Sequence, residues 1–164
     1  NPMACGNAWF INEIKYVANA DSEMLSLTNF DPKQTVFIDQ RFKERLGAMN
    51  LKKDSSASIA LTYYSPDTLN YTSNAAAESF AVFSEIYYEK GWNAYVDGQK
   101  TDHFRVNYVL RGMKIPAGKH EVSFRFEPAN YFLGEKIAGN NSILLLLLVA
   151  GKLFMAYKKN KATV

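Results

Sequence analysis

An unbroken apolar run near the C-terminus constrains the fold of this chain more than any other feature. Residues 143–149 include five consecutive leucines, and the apolar character continues to Tyr157 with one interruption at Lys152. A membrane-spanning helix needs about 20 mostly apolar residues. The run is therefore long enough to span only if it recruits the partly polar residues 137–142. The alternative is a buried core helix, or an apolar strand, of a soluble protein.

Two features of the run favour a membrane span. A helix made from it would be apolar around nearly its whole circumference, whereas a soluble amphipathic helix is apolar along one stripe. Lys158, Lys159 and Lys161 follow at once, and clustered lysines are typical of the cytoplasmic end of a span. Lys152 is close enough to that end for its amine to reach the interface. We therefore predict that residues 143–157 lie in membrane lipid and that the preceding domain is extracytoplasmic.

The rest of the chain shows the two-residue apolar period of β-strands. Alternation is clearest at 59–64, 80–86 and 120–126, and Asp97-Gly98 is the strongest hairpin signal. The residues from Phe104 to Ile115 are predicted to form one strand and its continuation. Further strands are predicted at 8–17, 35–39, 69–72 and 92–96, with a loop at 73–78. Short strands at intervals of about ten residues predict a mainly β, β-sandwich-like domain of jelly-roll or Ig-like type.

Two short helical segments are predicted near the N-terminus. Asp21-Ser22-Glu23 supplies an N-cap, and Met24, Leu25 and Leu27 are the predicted apolar face of a short helix. A helical turn is predicted from Phe42 to Leu46, ended by Gly47. The predicted organisation is an extracytoplasmic β-domain over residues 1–136, followed by a transmembrane helix with a basic cytoplasmic tail over residues 137–164.

Composition excludes several classes of function. The net charge is +3, from 19 basic and 16 acidic residues that are scattered along the chain, so no nucleic-acid partner is predicted. Cys5 has no second cysteine to pair with, and His103 and His120 are the only histidines, so neither an internal disulfide nor a metal site is predicted. No cofactor is predicted. Because the chain opens without an initiator Met or a signal sequence, we expect it to be a piece of a longer polypeptide.

Several segments, in the same order, resemble one family of membrane proteins. They read SEIYYEKGWNAYVDG from Ser84, NYVLR from Asn107 and PAGKHEV from Pro116, with NAWF at residues 7–10 and FDP at residues 30–32. Together they resemble the extracytoplasmic C-terminal region of the YfhO family of bacterial polytopic membrane proteins. The resemblance implies a parent with many membrane helices, similar to lipid-linked glycosyltransferases of the GT-C type.

In such a parent the catalytic acid lies in an early extracytoplasmic loop, which this chain does not contain. The resemblance therefore implies a non-catalytic domain of a protein that takes part in cell-envelope glycosylation. Its expected partners are membrane lipid and the remainder of the parent protein. A carbohydrate-binding module and a structural protein-interaction domain are the alternatives.

Five residues are candidates for contact with a sugar or a protein partner. Trp92, Tyr95 and Tyr108 offer rings on which a sugar could stack, and Asp97 and Arg105 offer groups that hydrogen bond to hydroxyls. The alternative is that the rings pack in the core or across strands, as aromatic side chains of β-proteins commonly do.

No catalytic residue is predicted in this chain. Glu85 and Asp97 would form a hydrolytic carboxylate pair only if the fold held them about 5–10 Å apart across a cleft, and acids at strand ends are usually solvated. Asp97 is better explained by the geometry of its turn. Arg111 is expected to pair with Glu85 or Glu121, or to lie on an exposed face, rather than to bind an anion.

Overall fold

The computed structural model describes residues 4–161. Within that range the chain forms three helices, α1 (Ala20–Ser26), α2 (Lys43–Leu46) and α3 (Ala129–Lys161), and a 3-10 turn at Gln40–Phe42. It also forms eleven strands: β1 (Ala8–Ile11), β2 (Glu13–Val17), β3 (Thr35–Asp39), β4 (Ser58–Tyr64), β5 (Thr68–Ala75), β6 (Ser79–Ile86), β7 (Trp92–Val96), β8 (Gln99–Thr101), β9 (Phe104–Val106), β10 (Leu110–Ile115) and β11 (Gly118–Phe126). The chain divides into two compact units after Glu127.

Two antiparallel sheets form the first unit. One has four strands in the order β1-β6-β10-β9, and the other has five in the order β4-β5-β11-β7-β8. Their facing sides share one apolar core, in which the ring of Phe83 lies 4.9 Å from that of Tyr71 and 4.8 Å from that of Phe124. The predicted mainly β, sandwich-like fold with a C-terminal apolar helix is confirmed.

A second core covers the other face of the four-stranded sheet. Phe80 and Val82 of β6 pack there against Val36 and Ile38 of β3 and against Leu46 of α2. The parallel pair β2-β3 and the segment from Gln40 to Leu46 thus form a third layer. Residues 79–83 of β6 are all buried because both faces of the strand are covered.

The close packing of this second core depends on a glycine. A Cβ at Gly112 of β10 would lie 2.6 Å from Phe80 Cε1 and 2.8 Å from Val106 Cγ1. Only a residue without a side chain allows these neighbours to meet over the strand.

The predicted apolar face of the first helix is wrong. Met24 and Leu25 are 58% and 75% exposed, whereas Glu23 is completely buried. The helix begins after Asn19, whose Oδ1 accepts a hydrogen bond from the Ser22 N–H at 2.9 Å. The side chain of Glu23 points inward because Arg105 of β9 lies there and forms an ion pair with its carboxylate.

The predicted strand from Phe104 through Ile115 is in fact a hairpin. β9 pairs with β10, with Val106 opposite Leu110. The turn is made by Asn107 and Tyr108, whose φ angles are +46° and +71°. Asparagine tolerates this left-handed conformation, but tyrosine adopts it rarely. The sequence of this segment therefore did not predict a turn at Tyr108.

Three other strand predictions need correction. The first strand is interrupted at Asn12, whose N–H donates to the Gln34 carbonyl. Residues 73–75 belong to β5 rather than to a loop. In β4 the register shifts between Leu61 and Tyr63, so Leu61 lies opposite Tyr71 and Tyr63 lies opposite Asn70. The bulge therefore moves Tyr63 off the core face that Leu61 occupies.

The predictions that rested on the strongest local sequence patterns are confirmed. The strand at 35–39 and the helical turn before Gly47 form as predicted. Asp97 and Gly98, with φ angles of +49° and +78°, connect β7 to β8 in a tight hairpin.

Candidate functional site

The C-terminal helix is the feature with the clearest functional meaning. Within α3, the stretch Gly134–Leu153 is long and apolar enough to cross a membrane by length and composition, and none of it is buried. It is the one helix of that kind in the described part of the chain. The five leucines from Leu144 to Leu148 are 56–69% exposed. The core helix of a soluble protein is mostly buried, so this exposure favours a membrane span over the core-helix alternative.

The partly polar residues before the leucine run are compatible with a continuous helix. The Ser142 hydroxyl donates to the Ala138 carbonyl at 2.9 Å, which satisfies it within the helix. α3 begins at Ala129, before the boundary predicted at residue 136. The residue at which the chain enters lipid stays a prediction.

Trp92 and Tyr95 lie on the same strand but face opposite sides of the five-stranded sheet. Trp92 packs against the shared core, with its ring 5.5 Å from the ring of Phe126. Tyr95 faces outward, where its hydroxyl donates to Glu127 Oε2 at 2.6 Å. That hydrogen bond lowers the pKa of Glu127 and raises the pKa of Tyr95. The two rings therefore do not form one stacking platform.

Asp97 lies in the β7–β8 turn and is engaged by the neighbouring strand. Its Oδ2 lies 2.6 Å from His120 Nδ1, and its Oδ1 accepts the Glu121 N–H at 2.9 Å. The hydrogen bond between the side chains lowers the pKa of Asp97 and raises that of His120. Glu85 lies near the end of β6, at the other end of the sandwich, so it does not form a carboxylate pair with Asp97.

Arg105 and Tyr108 belong to a third place, where α1 meets the four-stranded sheet. Arg105 Nη2 donates to Glu23 Oε2 at 2.9 Å and lies 3.6 Å from Asp39 Oδ2. The Tyr108 backbone N–H also hydrogen bonds to the Glu23 carboxylate, and burial raises the pKa of that carboxyl. The Arg105 guanidinium carbon lies 5.9 Å from the centroid of the Tyr108 ring. Sequence reasoning missed Glu23, because its apolar neighbours indicated the opposite helix face.

Arg111 lies inside the sandwich, contrary to the expected exposed face, and of its two expected partners the charge of Glu85 acts on it. It is 2% exposed, and its guanidinium carbon lies 4.2 Å from the ring centroid of Trp92 and 5.2 Å from that of Phe124. Its Nε donates to the Ile86 carbonyl at 2.8 Å. Burial lowers the pKa of Arg111 to about 10. Stacking on two rings is a common environment for a buried arginine.

An open groove lies beside the parallel strand pair. It has a volume of about 870 Å³ and is bounded by β2 and by residues 40–51. Ile14 and Tyr16 supply apolar surface on one side, and Met49 and Leu51 supply it on the other. None of the five candidate residues lines it. Among the residues that the structure describes, no three His, Cys, Asp or Glu side chains are grouped as metal ligands.

The five candidate residues thus do not come together in one site, and the fold defines the class of protein more clearly than a shared site does. The class is a membrane protein with a β-sandwich-like domain followed by one helix of membrane-spanning length. The sequence model described as bacterial membrane protein YfhO matches residues 24–138. The chain therefore belongs to the YfhO family, as the motifs beginning at Ser84 indicated. No curated protein and no solved structure matches the chain.

Proposed function

We propose that this chain is the extracytoplasmic β-domain and the last membrane helix of a polytopic YfhO family protein. The main observation in support of this proposal is the exposed apolar stretch Gly134–Leu153, which begins seven residues after the end of the first compact unit at Glu127. Lysines at 158, 159 and 161 follow the stretch, and lysine-rich flanks favour the cytoplasmic side. In this proposal residues 1–136 form the outer domain and residues 137–164 form the membrane helix and its cytoplasmic tail.

We further propose that the domain has no chemistry of its own and shapes acceptor access in a cell-envelope glycosyltransferase. Its best-placed ionisable side chains are occupied by structural contacts, which supports this role. Glu23 is bound to Arg105, Asp97 to His120, and Glu127 to Tyr95. In the complete parent protein, substitutions that destabilise this domain should raise the KM for the acceptor and leave kcat unchanged. A fall in kcat at saturating acceptor would argue for a direct role in the chemistry.

Cysteine labelling tests the topology. In a Cys5→Ser background, Lys100→Cys should react with an impermeant maleimide added to intact cells. Lys159→Cys should react only after the membrane is permeabilised. Labelling of both positions from outside would overturn the proposed sidedness, and labelling of Lys100→Cys only after permeabilisation would invert it.

A carbohydrate contact on the outer face of the five-stranded sheet is a second candidate. Cross-strand pairing places Tyr63, Asn70, Ser123 and Tyr95 side by side in one row. Neighbouring strands are 4.7–4.9 Å apart, so the two tyrosines at the ends of the row are separated by about 14 Å. The two rings offer stacking surface to a glycan, and the half-buried amide of Asn70 between them offers hydrogen bonds, whereas Ser123 is buried. Tyr95 is the one member of this row that the sequence had suggested.

Titration of the chain with envelope oligosaccharides tests this candidate. The Tyr63→Ala and Tyr95→Ala variants should each weaken binding about tenfold, the effect of losing roughly 1–1.5 kcal/mol of ring contact. Tyr88→Ala is the matched control, because Tyr88 is similarly exposed, at 51% against 53% for Tyr63, and lies off the row. Equal losses at all three positions, or no measurable binding by the unchanged chain, would remove the candidate.

A further inference from the structure

The two ends of the sandwich differ in the side chains they present. We define the exit end as the end where β11 finishes at Phe126 and the chain continues to α3 at Ala129. Strand pairing places the other elements of this end: Phe126 lies opposite Trp92, Arg125 opposite Thr68, and Ile86 opposite Leu110. The exit end therefore carries the β4–β5 turn, the β6–β7 loop and the β9–β10 turn.

Large apolar side chains are exposed at the exit end. Ile86 is 71% exposed, Tyr64 is 65% exposed and Tyr88 is 51% exposed. Val109 and Phe126, at 43% and 39%, are exposed at the same end. Soluble proteins expose single apolar residues routinely, but a concentration of them at one place marks an interaction surface.

The opposite end has a different character. It carries the β5–β6 connection at residues 76–78, the Asp97-Gly98 turn and the Pro116-Ala117 turn. Asp97 and His120 form their ion pair there. Among the described residues of these turns, none is a large exposed apolar side chain. The two ends of the sandwich therefore differ, because the described turns of the opposite end lack the large exposed apolar side chains of the exit end.

We infer that the exit end rests in the headgroup layer of the phospholipid bilayer, with Tyr64, Ile86 and Tyr88 as its main lipid contacts. This inference rests on the proposed membrane span of α3. Tyrosine suits such a layer because its ring is apolar and its hydroxyl is polar, and aromatic residues are enriched at both membrane interfaces.

The length of the connecting chain supports lipid as the occupant. Residues 126–129 extend at most about 10 Å at roughly 3.5 Å per residue. The helical residues 129–134 add about 8 Å at 1.5 Å per residue. Phe126 is thus within about 18 Å of the first residue of the apolar stretch, and the headgroup layer itself is about 5–8 Å thick. A tether of this length allows the exit end to reach the headgroup layer.

The charges at the exit end specify the kind of lipid contact. Its loops carry three acids, Asp67, Glu89 and Glu127, and one base, Lys90, and the neighbouring strand end adds Arg125. This balance gives no attraction to anionic headgroups. The contact is therefore made by rings and aliphatic groups, and it should form on vesicles of zwitterionic phosphatidylcholine.

Depth-dependent fluorescence quenching tests the inference on the full chain. A Cys5→Ser background is labelled with an environment-sensitive dye at Tyr64→Cys, Ile86→Cys or Tyr88→Cys, and reconstituted in phosphatidylcholine vesicles. Glu78→Cys and Lys119→Cys, both exposed at the opposite end, are the controls. Headgroup spin-labelled lipid should quench the three exit-end dyes at least about threefold more than the controls, because quenching requires contact with that thin layer. Circular dichroism verifies that each variant is folded.

A dye at Leu146→Cys separates the two claims. Quenching at 146 by acyl-chain spin labels, without quenching at 64, 86 and 88, overturns this inference and leaves the membrane span intact. Absence of quenching at 146 overturns the span and the inference together. A blue shift of the exit-end dyes without quenching by headgroup spin-labelled lipid would identify a second copy of the chain as the occupant and would also overturn the inference.

Discussion

The two sheets of the sandwich differ in how many of their faces are covered. The four-stranded sheet is buried on one side by its partner sheet and on the other by β3 and α2. The five-stranded sheet shares the first core, but side chains such as Tyr63 and Arg125 on its other face reach solvent. Residues 79–83 of β6 are consequently all buried, whereas β5 alternates between buried and half-buried positions. A sheet that is covered twice leaves no face on which a larger side chain is tolerated.

The largest expected effect comes from filling the space over the four-stranded sheet. Gly112→Val places atoms within 3 Å of Phe80 and Val106, both of which are fully buried. The free energy of unfolding should fall by about 3 kcal/mol or more, as overpacking of a rigid core does. Thermal unfolding of the detergent-solubilised chain, followed by circular dichroism, measures the loss.

The matched control introduces the same side chain into the other sheet. Thr72→Val changes a half-buried residue on the outer face of β5 and should alter stability by less than about 0.5 kcal/mol. Similar losses of stability in the two variants would show that the two sheets are equally constrained and would contradict the difference described above.

The ion pair that attaches α1 to the four-stranded sheet gives the next largest effect. Glu23→Gln keeps the shape of the side chain but removes the charge that Arg105 contacts at 2.9 Å. The expected loss is about 1.5–3 kcal/mol, the range for a hydrogen bond to a charged group. Urea unfolding provides the measurement, with Glu13→Gln as control because its partner Lys15 and Glu13 itself are about half exposed. A loss at Glu13 as large as that at Glu23 would contradict the role assigned to burial.

The comparison of the sheets also shows which features were readable from the sequence. The Asp97-Gly98 turn and the alternation of Val122 and Phe124 were predictable, because each depends on a few neighbouring residues. The burial of Glu23 was not, because its partner Arg105 lies 82 residues further along the chain. The turn at Tyr108 was missed for a related reason, since contacts with the third layer support a conformation that its own residue type disfavours.

The candidate site was predictable only in part. Ring-rich segments correctly indicated that Trp92 and Tyr95 lie on one strand, but their separation by three positions places them on opposite faces. The bulge in β4 that brings Tyr63 onto the same face as Tyr95 had no turn residue to mark it. The C-terminal helix of membrane-spanning length was predictable because length and composition alone specify it.

His103 should make the domain sensitive to acid. Burial, with the nearby charge of Arg111 as a lesser cause, lowers the pKa of His103 from 6.5 to about 4. In the unfolded chain the His103 ring therefore binds a proton near pH 6.5, whereas in the folded chain it stays neutral until the pH approaches 4. The stability of the fold is therefore highest above pH 6.5 and declines as the pH falls towards 4. The decline between pH 7 and 5 should be about 2 kcal/mol.

Replacement of the ring identifies His103 as the source of this sensitivity. His103→Phe retains a ring against Tyr87 and Phe124 and should flatten the dependence of the unfolding temperature on pH between 7 and 5. His120→Gln is the control, because His120 lies at the rim of the five-stranded sheet with a raised pKa. An unchanged pH profile in His103→Phe would rule out His103 as the cause.

The smallest effect is expected at the solvent-facing rim of the five-stranded sheet, where Asp97 meets His120. The raised pKa of His120 means that its contribution is complete below 6.5 and is lost as the pH rises through the raised value. The lowered pKa of Asp97 means that its contribution is complete above 3.8 and is lost as the pH falls through the lowered value. The pair therefore stabilises the domain most between these limits, the window in which His103 is destabilising.

Asp97→Asn isolates this contribution, because asparagine tolerates the φ of +49° that the turn requires. The pKa of His120, measured by NMR titration of its ring protons, should fall towards 6.5 when the carboxylate is removed. The unfolding temperature at neutral pH should change little, because an exposed pair is screened by solvent. A His120 pKa that stays raised in Asp97→Asn would assign the shift to the Ala117 carbonyl, which lies 3.0 Å from the other ring nitrogen.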